Sequence, residues 1–180
     1  MCMGNGAGDN EALTVQYTSA NAFEIKFGQS GDDVVTATSY QEHSEWAHWT
    51  FTYYAPLKRM RLYRYGVLLP FTGANLGEKT AANHLKAVGE TRIGFDFAST
   101  TQSNYFKGFL DELRIYKQEI ADWDVSSLFD SKETAGYLLV LSLTFDDPTE
   151  IMRDMSGEKN DGTPTALISP YPQRTRTGQQ

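Results

Sequence analysis

The sequence predicts an all-β protein, a sandwich or barrel of short strands carrying one short helix. Three observations lead there. Runs of β-branched and aromatic residues alternate with clusters of Gly, Asn, Asp and Ser along most of the chain. In EWAHWTFTYY, Trp49, Phe51 and Tyr53 alternate with His48, Thr50, Thr52 and Tyr54, the period-2 pattern of a strand buried on one side. Only Ile120 to Phe129 has helical patterning. At 180 residues, with 40% apolar and 22% charged residues, the chain is long enough for one domain with a substantial core.

Taken in order, residues 1–11 are Gly-rich and read as a flexible leader. Ala12 to Tyr17 and Ala22 to Phe27 read as strands joined by a Ser-Ala-Asn turn, and Val34 to Tyr40, rich in Val and Thr, as a third. After the Trp49 strand, Ala55 to Lys58 forms a turn. Arg59 to Tyr65 returns as its partner, and Gly66 closes a tight hairpin into Val67 to Leu69. Pro70 to Asn83 reads as a loop, Arg92 to Phe97 as a strand, and Ala98 to Asn104 as a polar loop. In FKGFLDELRIYKQEI, strand alternation places Phe109, Asp111, Leu113 and Ile115 on one face and Leu110, Glu112, Arg114 and Tyr116 on the other. An acid among apolar neighbours must find a partner. In the helix, Asp122 or Asp124 can cap the start, and Val125, Leu128 and Phe129 form an apolar stripe. Tyr137 to Phe145 is a strongly apolar strand, followed by a turn-rich loop to residue 168 and a polar tail, 169–180.

Charge and composition exclude several functions. A net charge of −7 with 16 scattered Lys and Arg argues against a nucleic-acid surface. No apolar run approaches the length of a bilayer span. The one cysteine, Cys2, allows no intrachain disulfide, and no secretory signal is evident in this stretch.

Three segments resemble the laminin G-like, concanavalin A-like superfamily. EWAHWTFTYYAPLKRMRLYRYGVLLP is similar to its Trp-x-His strand and the following strand that ends in Leu-Tyr-x-x-Gly. FKGFLDELRIYKQEIADWDVSSLF is similar to its closing strand and short helix, and LSLTFDDPTEIMRDMSGEKNDGT to its opening strand and loop. The resemblance implies an antiparallel jelly-roll-like β-sandwich over residues 12–134, with 135–168 as the opening strand and loop of a following or permuted module. The opening-type motif comes after the closing one, so the resemblance implies either a truncated tandem array or a circular permutation, and the array is favoured because Met1 to Gly8 does not look like a natural domain start. Tyr65 stands where the family's hairpin commonly carries Asn or Asp.

Calcium takes about six to eight oxygen ligands. Because related sandwiches bind calcium at a rim, the resemblance nominates Asp111, Asp154, Asn160 and Asp161 as its ligands. The alternative is that Asp154 and Asp161 are Asx-turn residues and Asp111 accepts backbone N–H groups. For ligand contact, Tyr105 and Asn104 at a loop rim are the leading candidates, with Tyr40 and Tyr63 behind them. Trp46, Trp49, Phe51, Tyr53 and Trp123 read as core. His43, His48 and His84 lack metal-ligand spacing, and Asp146, Asp147 and Glu150 read as turn acids rather than a glycosidase pair. The expectation is a non-catalytic binding or adhesion module within a larger extracellular or cell-surface protein. Its partner would be a glycan or an extracellular protein, beside neighbouring repeats. The alternatives are a structural spacer repeat without a ligand and a degenerate glycoside hydrolase.

Overall fold

The computed structural model describes residues 1–4, 10–18, 23–27, 34–37, 45–70, 78–86, 89–94, 106–130, 136–147 and 149–164. The strands are β1 (Cys2–Gly4), β2 (Ala12–Tyr17), β3 (Phe23–Phe27), β4 (Val34–Ala37), β5 (Trp49–Tyr54), β6 (Arg59–Arg64), β7 (Val67–Leu68), β8 (Glu78–Thr80), β9 (Thr91–Arg92), β10 (Leu113–Tyr116) and β11 (Leu139–Leu143). Helix α1 (Asp122–Phe129) lies between β10 and β11 in sequence. The chain divides into two compact units, residues 1–109 with 116–138 and residues 110–115 with 139–180. No helix among the described residues is long and apolar enough to cross a membrane.

The first unit is built on two antiparallel sheets. One has the order β4-β3-β2-β1-β9. In the other, β5 pairs along the whole of β6, while β7 and β8 pair with opposite ends of β6. Alternation decides what lies between the sheets. Phe23, Ile25 and Phe27 point inward from β3, and Met60 and Leu62 point inward from β6, joined by Leu13, Leu69 and Ala81. Trp49, Phe51 and Tyr53 of β5 pack against the same cluster. Phe23 stacks on Trp49 at 4.1 Å, and Phe27 meets Tyr53 edge-on at 5.0 Å. This is a sandwich, and full burial of each such large apolar side chain contributes about 1.5–3 kcal/mol.

The other face of β6 carries Arg59, Arg61 and Tyr63. Tyr63 joins Ile120, Val125, Leu128 and Leu138 in a second apolar cluster, through which α1 covers this face. The helix starts without a side-chain cap: its N-cap is Ala121, and Asp122 and Asp124 lie inside the first turn, where their charge faces the positive end of the helix dipole. Val125 and Leu128 are buried as the stripe requires, but Phe129 is exposed.

Several elements differ from the sequence expectation. Cys2–Gly4, placed in the leader, pairs with both β2 and β9. Pro70 to Asn83, read as a loop, contains β8, whose polar Glu78-Lys79-Thr80 pairs with Arg59–Arg61. The expected Ala55–Lys58 turn is a 3-10 helix, Ala55–Leu57, ended by Lys58 at φ +50°. The strand expected around Arg92 to Phe97 is β9, Thr91–Arg92, and 95–97 lie outside the described residues.

In the second unit β10 and β11 form a two-stranded sheet. The expected strand through Phe109 and Asp111 begins only at Leu113, because Glu112 takes φ +51° and breaks the alternation. Asp111 therefore does not share a strand face with Leu113 and Ile115. The apolar strand begins at Leu139 rather than at Tyr137, which is exposed, and Leu141, Ser142 and Leu143 are buried.

Candidate functional site

On the α1 side of the first unit, an open cleft of about 420 Å³ is lined by Arg59, Arg61, Glu119, Ile120, Ala121 and Asp122. Its two guanidinium groups project from alternate positions of β6. Arg59 Nη2 lies 3.0 Å from Glu119 Oε2, and Thr52 Oγ1 donates to Glu119 Oε1 at 3.3 Å. Arg61 Nη1 lies 2.9 Å from Asp122 Oδ1 and its Nη2 2.9 Å from Glu78 Oε2. The Tyr63 hydroxyl donates to Asp122 Oδ1 at 2.8 Å. Burial pushes the Tyr63 phenol up to about 12, with the Asp122 hydrogen bond and charge adding to it. These acids are held by arginines, and the network ties the start of α1 to the sheet. Its chemistry is that of a clamp.

A different surface lies before β5 and at the hairpin between β6 and β7. Trp46 is 62% exposed and Phe109 65% exposed, with ring centroids 6.3 Å apart at a tilt of 45°. Phe106 and Phe129 are also exposed. The Phe129 ring lies 5.6 Å from that of Tyr65 and 5.7 Å from that of His48. Tyr65 Oη donates to the Trp46 carbonyl at 3.1 Å, and Arg64 lies over the Tyr65 ring at 4.3 Å. Aromatic faces left open to solvent, with one pair in mutual contact, form a patch of the kind that serves binding.

The residues nominated for calcium divide. Asp154, Asn160 and Asp161 share one hydrogen-bonded loop in the second unit. Asp154 Oδ1 accepts from the amides of Ser142 and Ser156 at 2.9 and 2.8 Å, and its Oδ2 from the Ser156 hydroxyl and the Asn160 amide at 2.7 and 2.9 Å. Asp161 Oδ1 accepts from the Asp154 amide at 2.8 Å, and Asn160 Nδ2 donates to the Val140 carbonyl at 2.7 Å. Burial pushes the Asp154 carboxyl up, but the combined donors from Ser156, Asn160 and Ser142 outweigh it and hold the group at about 2. A cation at Asp154 would have to displace these donors. Asp111 Oδ1 accepts from the Glu112 amide at 3.1 Å. Among the described residues no three His, Cys, Asp or Glu side chains converge to hold a metal ion.

Tyr105, Asn104 and Tyr40 lie outside the described residues, as does His43. Tyr63, the remaining tyrosine candidate, is only 1% exposed and belongs to the clamp, so it is not a surface contact. Trp46 and Trp123, read as core, are both exposed. Trp46 precedes the first residue of β5, so the period-2 rule that packs the half-buried Trp49 against the core does not reach it. Glu112 and Arg114 form an exposed ion pair at 2.9 Å, which contributes about 0–1 kcal/mol. Asp147 binds the Thr149 amide and hydroxyl, and Glu150 pairs with Arg153 at 2.7 Å.

Two antiparallel sheets packed as a sandwich with one short covering helix are the architecture of a concanavalin A-like domain. The chain belongs to the concanavalin A-like lectin/glucanases superfamily, whose family model matches residues 2–126. Among solved structures it is similar to residues 221–444 of an S-layer domain-containing protein from Clostridium thermocellum. The identity is 16% and the TM-score 0.32, over 72% of this chain and 61% of that one. The chain thus spans less than two thirds of that neighbour. No curated protein matches the chain. The superfamily includes both binding and hydrolytic members, so membership assigns the architecture and the site must decide the chemistry.

Proposed function

We propose that this chain is a non-catalytic glycan-binding module of an extracellular or cell-surface protein, with Trp46 and Phe109 as its stacking platform. The observation that carries this is the exposure of two aromatic rings in contact at 6.3 Å. Pyranose rings present apolar C–H faces, and an indole or phenyl ring of large area matches them while leaving the sugar hydroxyls in water. Asn104, Tyr105 and Tyr40 are retained as candidate ligand contacts on the sequence alone. The non-catalytic part of the reading is supported by the acids of the cleft: Glu119 and Asp122 each bind an arginine rather than standing opposed across an open gap. Neighbouring repeats would set how many platforms one protein presents.

Affinity electrophoresis through gels containing soluble polysaccharides tests the proposal. The parent chain is retarded by at least one polysaccharide, and Trp46→Ala and Phe109→Ala each abolish that retardation while unfolding at the parent's temperature. A module that serves only as a spacer shows no retardation in any gel. An enzyme releases reducing ends from the polysaccharide.

A further inference from the structure

Tyr65 occupies the first turn position between β6 and β7 with φ +52°, followed by Gly66 at φ +74°. Both positions of such a hairpin turn require a left-handed backbone, which Asn, Asp and Gly adopt readily and a bulky aromatic residue does not. The glycine is explained locally: a Cβ on it would lie 3.0 Å from Ser126 Cα and 3.1 Å from Phe129 Cβ. Nothing in the turn itself calls for a tyrosine. What the unfavourable backbone achieves is visible beyond the turn. The Tyr65 amide donates to the His48 carbonyl at 2.9 Å, and its hydroxyl donates to the Trp46 carbonyl at 3.1 Å. Two bonds from one residue thus hold the segment that enters β5. The first uses the backbone and is open to any residue but proline; the second needs the phenol. Its ring is braced between Phe129 and the Arg64 guanidinium, so the hydroxyl has a defined direction.

We propose that Tyr65 is a positioning residue for the Trp46 platform, and that the strained turn is kept because only a tyrosine there fixes the Trp46 backbone and sets its indole beside Phe109. The role rests on the glycan-binding reading for its purpose but not for its structural content, and the two are tested separately.

The chain has three tryptophans, so its nitrogen-15 NMR spectrum carries three indole N–H signals, of which Trp46→Phe identifies one. Tyr65→Phe keeps the ring contacts and removes only the hydroxyl. The Tyr65 hydroxyl also accepts from Arg64 Nη2 at 3.3 Å, and that guanidinium lies over the Trp49 ring, so the expected result is that the Trp46 signal shifts or broadens more than that of Trp49 while that of Trp123 stays in place. Retardation in the polysaccharide gel weakens by about two- to tenfold, the range for one lost hydrogen bond. Tyr65→Asn, which suits the turn, leaves the unfolding temperature equal or higher yet weakens retardation further. An unmoved Trp46 signal in Tyr65→Phe, or equal movement of all three signals, would overturn the positioning role. If the parent is retarded by no polysaccharide, the glycan reading fails by itself and the indole signals still decide whether Tyr65 positions Trp46.

Discussion

Replacing Asp154 by asparagine keeps the side chain's shape but turns one acceptor into a donor. In the parent both carboxylate oxygens are used, Oδ1 by the amides of Ser142 and Ser156 and Oδ2 by the Ser156 hydroxyl and the Asn160 amide. The serine hydroxyl can rotate; the backbone amides cannot. The carboxyl is held at about 2 in the folded protein against an ordinary value of 3.8, a difference of nearly two units. At about 1.4 kcal/mol per unit this is roughly 2–3 kcal/mol of stability from the charged form. Asp154 is covered by its own loop, but Arg153, Met155 and Asn160 around it are exposed, so solvent screening lowers this figure and about 2–3 kcal/mol is its upper end. Because the folded value lies below the unfolded one, the stabilisation is fully present above pH 4 and is lost as pH falls toward 2. About half is gone at pH 3. At pH 7, Asp154→Asn therefore costs about 2–4 kcal/mol once an unmet backbone donor is included. Amide hydrogen exchange at Ser142, Ser156 and Asn160, measured for parent and variant at pH 7 and at pH 3, is the direct assay. The gap in protection free energy narrows by about 1 kcal/mol at pH 3. A gap of under about 0.5 kcal/mol at pH 7, or one that does not change with pH, would refute the account of this loop.

Tyr63 gives the opposite sign at alkaline pH. Its folded value of about 12 lies above the ordinary 10, so the folded state is favoured below pH 10 and loses that advantage as pH rises through 12. In alkaline unfolding followed by circular dichroism, Tyr63→Phe lacks the loss of stability that the parent shows between pH 10 and 12. At the hairpin, Gly66→Ala forces a left-handed alanine against α1 and lowers stability by about 1–3 kcal/mol in urea titration. In the core, Phe27→Ala empties a fully buried site between the sheets and costs about 3–5 kcal/mol in the same assay.

How much of this was legible from residues depends on whether periodicity had room to act. Ala12 to Tyr17 is β2 at both ends, and the Trp49 strand faces the core as its alternation implies. Two strands were hidden. Cys2–Gly4 is too short to show a period, and Glu78–Thr80 is polar because it sits at an edge, where no apolar alternation is required. At Asp111 the apparent alternation does not correspond to a strand, since one left-handed residue, Glu112, separates it from β10. In the loop from Asp154 to Asp161, the Ser156 amide donates to Asp154 Oδ1 in the Asx-type bond that local sequence allows, whereas the Asp154 amide donates to Asp161 Oδ1 across seven residues, which local sequence does not reveal. The exposure of Trp46 is not legible from periodicity, because Trp46 precedes the first residue of β5. Packing of Trp49 against the core depends on cross-strand pairing with β6, and Trp46 lies outside that register.

The most direct test of the central claim is a glycan array probed with the parent chain and with Trp46→Ala side by side. The account predicts saturable binding of the parent to at least one class of pyranose-containing glycan, and its loss in a variant that remains folded. Parent binding that Trp46→Ala leaves intact, or no binding to any glycan, would contradict it.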